Sequence, residues 1–472
     1  MLLGVPVGIG LGELIRSLLR ATLPLPEFAS TFPTTQFVIA ALLAIAIPLI
    51  AAAIPVRKAV GVQPVDAISV SHVSGGAVGA TSLMHRIAPP GGPLTQLPLR
   101  NLARSPRRTV MTVVALGAVM TAIVAVLGMV DSLANAADRQ RAQILRGSPD
   151  RLNVALLEFE PRDGTVVRRV AQTPGVGRSE PGLTVGAGVR SGAEDLAVAL
   201  TFVNPDSPIW QPGIREGSVS GNGIALAEKA AEDLGVTIGD TVTLRHPKAV
   251  AGTIAQEETR VRVTGIHDNP IRAYAYMDQQ QAGPLGLGGL ATQVAVVPGA
   301  GTDATTITRE LFGARGIASV QSVASEAEAL QTSVEAYTGA IQMVVVLTLG
   351  LGLLVAFTSA SVSVDERRRE YATMFAFGLP PRFGLRVAMV ESLVTGLLGT
   401  LAGFGLGLLV TRWINTRLLG ETFPDLGVHT TLTATSILVI MVVGIGAFVL
   451  APVLTFRGMR RMDIPSTLRV RE

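Results

Sequence analysis

Residue types able to do chemistry gather in few places along this chain. The densest is Glu366-Arg367-Arg368-Arg369-Glu370-Tyr371, followed by Met374, Phe375 and then Phe377-Gly378-Leu379-Pro380-Pro381. Glu366 and Glu370 stand one helical turn apart, and Arg367 falls one turn before Tyr371, spacings that steady a short helix. Tyr371, Met374, Phe375 and Gly378 share one face of that helix, Gly378 can cap it, and the two prolines prevent its continuation. Such a segment binds rather than breaks bonds: a partner's groove would take its apolar stripe. An amphipathic loop helix resting on lipid would have the same pattern. The other notable acid is Glu391, inside an apolar run, where a carboxylate at a span centre costs roughly 3 kcal/mol. Arg386 lies close in sequence, so an interfacial pair with it and a buried contact to the 366–378 helix both fit. No second intramembrane acid accompanies Glu391, which leaves a proton relay with little support.

Catalytic constellations are missing from the sequence. It has no cysteine, which excludes disulfides, thiolate metal sites and cysteine nucleophiles. His72, His85, His246, His267 and His429 are scattered, without H-E-x-x-H or G-x-S-x-G. No G-x-x-x-x-G-K-[ST] phosphate loop occurs, so the chain is not expected to hydrolyse ATP itself. Neither a metal nor a resident cofactor is expected, and Asp240 and Asp268 read as turn residues.

The elements that must position these residues are mostly apolar. Of 472 residues, 48% are hydrophobic and only 16% charged, too apolar for a soluble globule and fit for a multi-pass α-helical membrane protein. Five full spans are expected, at 36–56, 109–130, 337–364, 387–410 and 431–456, each near the roughly 20 residues a bilayer demands. Arginine placement orients them. Arg57, Arg86, Arg100, Arg104, Arg107 and Arg108 precede the second span. Arg367, Arg368, Arg369, Arg382 and Arg386 lie between the third and fourth, and Arg457, Arg460, Arg461, Arg469 and Arg471 follow the last. These segments are therefore expected in the cytoplasm, with 131–336 outside and the C-terminus inside. The net charge of +4 follows from this topology, and nucleic acid is not an expected partner.

The chain also repeats itself. Leu2-Leu3-Gly4 through Gly8, Gly10 and Gly12 recurs as Leu397-Leu398-Gly399 through Gly403, Gly405 and Gly407. Gly4, Gly8 and Gly12, like Gly399, Gly403 and Gly407, fall on one helix face, a small-residue surface for close span packing. The order implies a half span and one full span left from a preceding unit (1–58) and a Gly-, Ser- and Pro-rich cytoplasmic linker (59–96). A complete unit follows: an interfacial helix and first span (97–130), an outer domain (131–336), and three spans with the 366–378 helix and a basic tail (337–472). On this reading the true start of the protein lies upstream of Met1.

The outer region reads as α+β. Strand 152–157, helix 165–171 and a turn at Pro174-Gly175-Val176 into another strand are matched later by strand 292–297, helix 305–312 and strand 317–323. Two β-α-β halves flanking an insert imply a split ferredoxin-like layer. In the insert, a helix at 227–234 stops at Gly235, Gly239-Asp240 turns into strand 241–245, and 260–266 alternates again, a small β-rich subdomain.

Taken together, Glu366 to Glu370, Gly378, Glu391 and the Gly399/Gly403/Gly407 series resemble the FtsX-like permease module of ABC transporters. Leu99-Arg100-Asn101-Leu102 and Arg104-Ser105-Pro106-Arg107-Arg108-Thr109 resemble the interfacial helix that leads into it. Ile224 to Lys229 and Gly239 to Val242 are similar to the extracytoplasmic domain of MacB-like and LolC/E-like members. The resemblance runs over 97–472 and in part over 1–70. It implies a non-enzymatic permease subunit of a bacterial inner or plasma membrane, whose 366–378 coupling helix docks on a separate cytoplasmic ATPase. ATP and Mg2+ would be held by that partner, and movement would pass to the outer domain by mechanotransmission. Membrane lipid and a second permease chain would be further partners. The task would be export or extraction of a lipophilic, peptide or lipoprotein cargo. Regulation of a cell-wall hydrolase is the alternative, and a nonfunctional fragment of a longer permease a third.

Overall fold

The computed structural model describes residues 34–60, 93–104, 106–250, 253–366 and 368–460, with a few positions before residue 18. Gly4, most of the expected linker, Arg367 and the basic tail beyond Arg460 lie outside the described residues. In chain order come α1 (Thr34–Val60), α2 (Pro93–Arg104) and α3 (Pro106–Leu145). The α+β region follows, with β1 (Leu152–Pro161), α4 (Thr165–Ala171), β2 (Val176–Ser191), β3 (Glu194–Val203), β4 (Ile214–Gly217) and β5 (Ile224–Ala227). It continues through α5 (Glu228–Leu234), β6 (Thr241–Val250), β7 (Thr253–His267), β8 (Tyr274–Asp278), β9 (Leu290–Pro298), α6 (Ala304–Leu311) and β10 (Ile317–Ser322). Last are α7 (Val323–Glu366), α8 (Arg368–Ala376), α9 (Pro381–Trp413) with a π-helical turn (Ile414–Leu419), and α10 (Ala434–Arg460).

The chain divides into two units, Met1–Met111 with Arg386–Glu391, and Thr112–Leu385 with Ser392–Glu472. Among the described residues, Thr109–Leu145 and Arg382–Thr422 are helical stretches long and apolar enough to cross a membrane. Three of the expected spans fall on α1, α7 and α10, whose described apolar stretches are the shorter Val38–Ile50, Val344–Val355 and Ala434–Gly446. Leu42, Ile47 and Ile50 of α1, and Leu351 and Leu354 of α7, are well exposed. Helices apolar around their circumference with such side chains outward suit a lipid surround better than water.

In the α+β region the two expected halves do form one layer. Its strands lie in the order β10-β1-β9-β2, with every pair antiparallel. Between β1 and β2 the chain crosses over through α4, and between β9 and β10 through α6, the arrangement of a β-α-β-β-α-β layer. Alternation explains its packing: Leu152, Val154 and Leu156 of β1 and Val294 and Val296 of β9 point to the helix side. There they meet Val167 and Val170 of α4 and Ile307 and Leu311 of α6. The helix bounds expected at 165–171 and 305–312 agree with the observed ones to within a residue.

The insert is a closed barrel. Strand β2 is long enough to serve both layers: Val176–Gly182 pairs with β9, and Leu183–Ser191 pairs with β3. From β3 the pairing runs to β8, β5, β7 and β6, and β6 returns to β2 through Gly188, Val189 and Arg190. Closure leaves these strands without a free edge over the paired stretch. Val189, Leu200, Ile224, Leu226, Leu244, Val263 and Met277 fill the interior, and Ala230, Ala231 and Leu234 of α5 close over it. Helix α5 ends in a left-handed turn at Gly235 (φ +63°), where Val236 N–H reaches Ala231 O at 3.0 Å.

Candidate functional site

The expected coupling segment is α8 with its turn. Its end is a complete left-handed cap: Gly378 has φ +86°, its N–H donates to Phe375 O (3.0 Å), and Leu379 N–H donates to Met374 O (3.1 Å). A β-carbon is disfavoured in that conformation, which accounts for glycine there. Pro380 then stands extended before the first turn of α9. Glu366 closes α7, and Arg369, Glu370 and Tyr371 lie in α8. Met374 and Phe375 are half-buried rather than fully exposed, and Ala372 is buried between the turns. The apolar side chain this segment presents outward is Phe377, 85% exposed. Sequence reasoning read Phe377 only as part of the stop signal; its place just before the left-handed residue is what turns it away from the helix face.

Glu391 of α9 is buried, and its Oε1 accepts a hydrogen bond from Asn101 Nδ2 at 2.9 Å. Asn101 belongs to α2, so the carboxylate ties α2 to α9 within the first unit. Beside Arg386 and the 366–378 helix, the contacts that the sequence suggests, Asn101 is one that lies far away in the chain. Asn101 lies in the Leu99-Arg100-Asn101-Leu102 segment, whose pattern carries the resemblance and gives no sign of a carboxylate partner.

Glycines 399, 403 and 407 face α3. A β-carbon added to Gly403 would lie 2.5 Å from Met120 Cβ and 2.6 Å from Gly117 O, and one on Gly407 would lie 2.5 Å from Val124 Cβ. One on Gly399 would lie 2.9 Å from Leu116 Cβ. Thr121 Oγ1 donates to Gly117 O at 2.8 Å and also reaches Gly403 O at 3.3 Å across the crossing. By contrast, the helical residues Gly8 and Gly12 of the first copy are exposed, with nothing where a β-carbon would go. A polar knot closes the crossing at its far end. Ser132 Oγ, fully buried, accepts from Asn415 Nδ2 (3.1 Å) and from Thr431 N–H (3.1 Å), and Asp131 Oδ2 accepts from Thr433 N–H (2.7 Å).

The α+β region is held at three places. Helix α3 leads into β1 and β10 leads into α7, and β1 and β10 are neighbours with Leu152 opposite Ser322. Both helices therefore leave the sheet side by side. Arg151 pins the junction: its Nη2 donates to Ile144 O (2.7 Å) and its Nη1 to Arg146 O (3.0 Å), while Val323 N–H donates to Arg151 O (3.2 Å). A guanidinium on the last carbonyls of a helix is also favoured by the helix dipole. Burial pushes the Arg151 pKa down to about 10, partly offset by Glu326, so it keeps its charge at neutral pH. The third hold is the loop before α10. Ile271 bridges Leu426, Gly427 N–H donates to Pro270 O (2.7 Å), and Arg272 sits between Asp425 and Asp233, each at 2.8 Å. Glu228 of α5 adds a 3.0 Å contact to His429.

Behind that latch, His267 is buried, donating from Nε2 to Tyr274 O (3.0 Å) and accepting Asn269 N–H at Nδ1 (3.3 Å). Its ring lies 4.6 Å from that of Tyr276, which contacts Trp210 edge-on at 5.7 Å. Burial lowers the His267 pKa to about 4, against a smaller opposing effect of the Tyr274 carbonyl. The neutral ring is a fixed structural piece, with both nitrogens used. No cluster of three or more His, Cys, Asp or Glu side chains fit for a metal occurs among the described residues.

The described residues thus combine a tightly crossed helix pair, a capped turn with an exposed apolar tip and a sheet carried on two helices. Residues 342–464 match the FtsX-like permease C-terminal family. The chain is also 24% identical, over 258 residues, to an uncharacterized ABC transporter permease protein, Rv0987, of Mycobacterium tuberculosis. That match covers 52% of this chain and 29% of the relative's length. The resemblance to FtsX-like ABC transporter permeases therefore holds. Among solved structures, the extracellular domain of the noncanonic ABC-type transporter YknZ from Gram-positive bacteria overlays 36% of this chain and 98% of its own, with 14% identity and TM-score 0.25. The periplasmic region of MacB from Actinobacillus actinomycetemcomitans overlays 39% and 94%, with 12% identity and TM-score 0.26.

Proposed function

We propose that this chain is the permease subunit of an ABC transporter in a bacterial cell membrane. It couples ATP hydrolysis by a separate cytoplasmic ATPase to movement of the domain at 131–336. The basic segments and α8 face the cytoplasm and the domain at 131–336 faces outward, so Phe377 is the side chain offered to the ATPase. The observation that carries the reading is the connectivity around α8 and the α+β region. Helix α7 runs from the exposed turn at α8 to β10, beside the strand that receives α3. A tilt of α7 against α3 is then applied to two adjacent strands and levers the whole sheet. Movement of this kind suits export or extraction of a lipophilic, peptide or lipoprotein cargo, with a second permease chain completing the assembly.

The test is isolation of the chain from its native membrane under mild detergent. An ATPase with a phosphate-binding loop is expected to co-purify in stoichiometric amount, and Phe377→Asp is expected to release it without loss of the folded permease. Retention of the ATPase by that variant would overturn the docking assignment.

A further inference from the structure

The second face of the ferredoxin-like layer is not left to open solvent. It floors a cleft of about 360 Å³, roofed by the last turn of α3 and by the Asn204–Trp210 segment. That volume falls within the range of pockets that hold small ligands. Strand register fixes what the floor presents. One row across β10, β1, β9 and β2 is Gln321, Asn153, Ala295, Glu180. The next row is Ser319, Ala155, Gln293, Gly182. All eight line the cleft. Ala155 and Ala295 sit diagonally in the middle, so a shallow trough runs between the amide and hydroxyl side chains of Gln321, Asn153, Ser319 and Gln293, with the Glu180 carboxylate at its β2 side.

The walls are set before any ligand arrives. Gln143 is buried, with its Oε1 accepting Gly213 N–H (2.9 Å) and its carbonyl accepting Trp210 Nε1–H (3.1 Å). Glu180 is held by Asn204 Nδ2 (3.2 Å) and by the Ser207 hydroxyl, and Gln293 Nε2 donates to Thr184 Oγ1 (3.1 Å). One group is unspent: the Oε1 of Gln140, on the roof, is buried without a hydrogen-bond partner among the described residues. A buried amide oxygen calls for a donor.

We propose that this cleft binds a short, uncharged stretch of extended peptide, its backbone lying over Ala155 and Ala295. Side-chain amides supply both donors and acceptors, which a peptide backbone reciprocates. Polar groups recurring at alternate residues of neighbouring strands match the two-residue repeat of an extended chain. A saccharide fits less well, because Trp210 offers no bare platform: Tyr276 meets it edge-on and the Arg151 guanidinium lies over its ring at 5.8 Å. The cleft also touches Ile144 and Val323, where α3 and α7 join the sheet. Occupancy there would be felt at the root of both helices. The proposal gives the permease reading a ligand class, and its test reads binding alone, so a failure of ATPase association would leave it standing.

The chain has two tryptophans, Trp210 and Trp413, so a Trp413→Phe full-length protein in detergent reports on the cleft alone. Titration with N-acetyl-trialanine amide should give a saturable change in Trp210 emission, and maltotriose should give none. Ala295→Leu, which fills the trough, should weaken the peptide response at least tenfold. Gln140→Ala, a change that removes only the roof amide, should weaken it several-fold with unaltered far-ultraviolet circular dichroism. The proposal is overturned by no saturable response to the peptide, by a response to maltotriose in its place, or by equal affinity in all three proteins.

Discussion

Alanine at Gly403 should loosen the crossing of α3 and α9, whereas alanine at Gly405 on the same helix should not. At Gly403 the new β-carbon would stand 2.5 Å from Met120 Cβ and 2.6 Å from Gly117 O. Neither atom can swing away, since one is backbone and the other a β-carbon. Carbon contacts are comfortable at about 3.5–4.0 Å, so the helices must part by roughly 1 Å. Overpacking of this kind costs about 1–3 kcal/mol. Both substitutions also gain helix propensity, up to about 1 kcal/mol in a helix interior. Nothing lies within 4 Å of a β-carbon at Gly405, so there the gain stands alone. The propensity gain cancels between the variants, leaving a difference of about 1–3 kcal/mol from overpacking. Heating the detergent-solubilised protein and measuring the surviving monodisperse fraction gives the comparison. Gly403→Ala should lose its midpoint below wild type or match it, and Gly405→Ala should match or exceed wild type. Identical midpoints for the two variants would refute the close crossing.

Three further outcomes follow from the geometry. His267 is neutral when buried, with pKa about 4, while in the unfolded chain it takes a proton near 6.5. The unfolded state therefore binds more protons as pH falls, and stability drops between about pH 6.5 and 4, by about 2 kcal/mol at pH 5 relative to pH 8. Hydrogen exchange of the β8 amides should accelerate accordingly, and a pH-independent rate in the exchange-corrected data would contradict this. A cysteine pair at Ile271 and Leu426, in a chain with no cysteine of its own, should cross-link under mild oxidation in the membrane. Adding Arg272→Glu should reduce the yield, and an unchanged yield would remove the Asp233–Arg272–Asp425 ion pairs from the latch. Gly378→Val should destabilise the end of α8 by roughly 1–2 kcal/mol, because a left-handed residue then carries a branched side chain. Faster proteolysis at that turn is the readout, and wild-type resistance would argue against the cap.

The ferredoxin-like halves were readable because their strands alternate cleanly and their helices are bounded by Gly and turn residues. The barrel was not. Its defining strand β2 carries Gly182, Gly186 and Gly188 with Ala187, small residues that flatten the contrast between inward and outward positions. Its pairings β3–β8 and β5–β7 are parallel and far apart in sequence, so no turn announces them. Around α8 the charge pattern and the stop at Gly378 located the segment, but which apolar side chain faces out depended on the left-handed turn, and Phe377 took that position. Glu391 drew attention by its charge. Asn101, its hydrogen-bond donor, is 290 residues away, and an amide in a basic helix gives no electrostatic hint. The loop that latches Arg272 through Asp425 is remote too, 153 residues away in the chain.

The central claim is that nucleotide turnover in a partner ATPase moves the α+β domain against the spans that carry it. Spin labels at Glu310→Cys on α6 and Leu398→Cys on α9 place one probe on each, at exposed positions. Pulsed dipolar spectroscopy of the reconstituted permease–ATPase assembly then measures the distance without nucleotide and with ATP trapped by vanadate. The account predicts distinct distance distributions in the two states, merging when Phe377→Asp disconnects the ATPase. Superimposable distributions, in an assembly shown to be hydrolysing ATP, would contradict it.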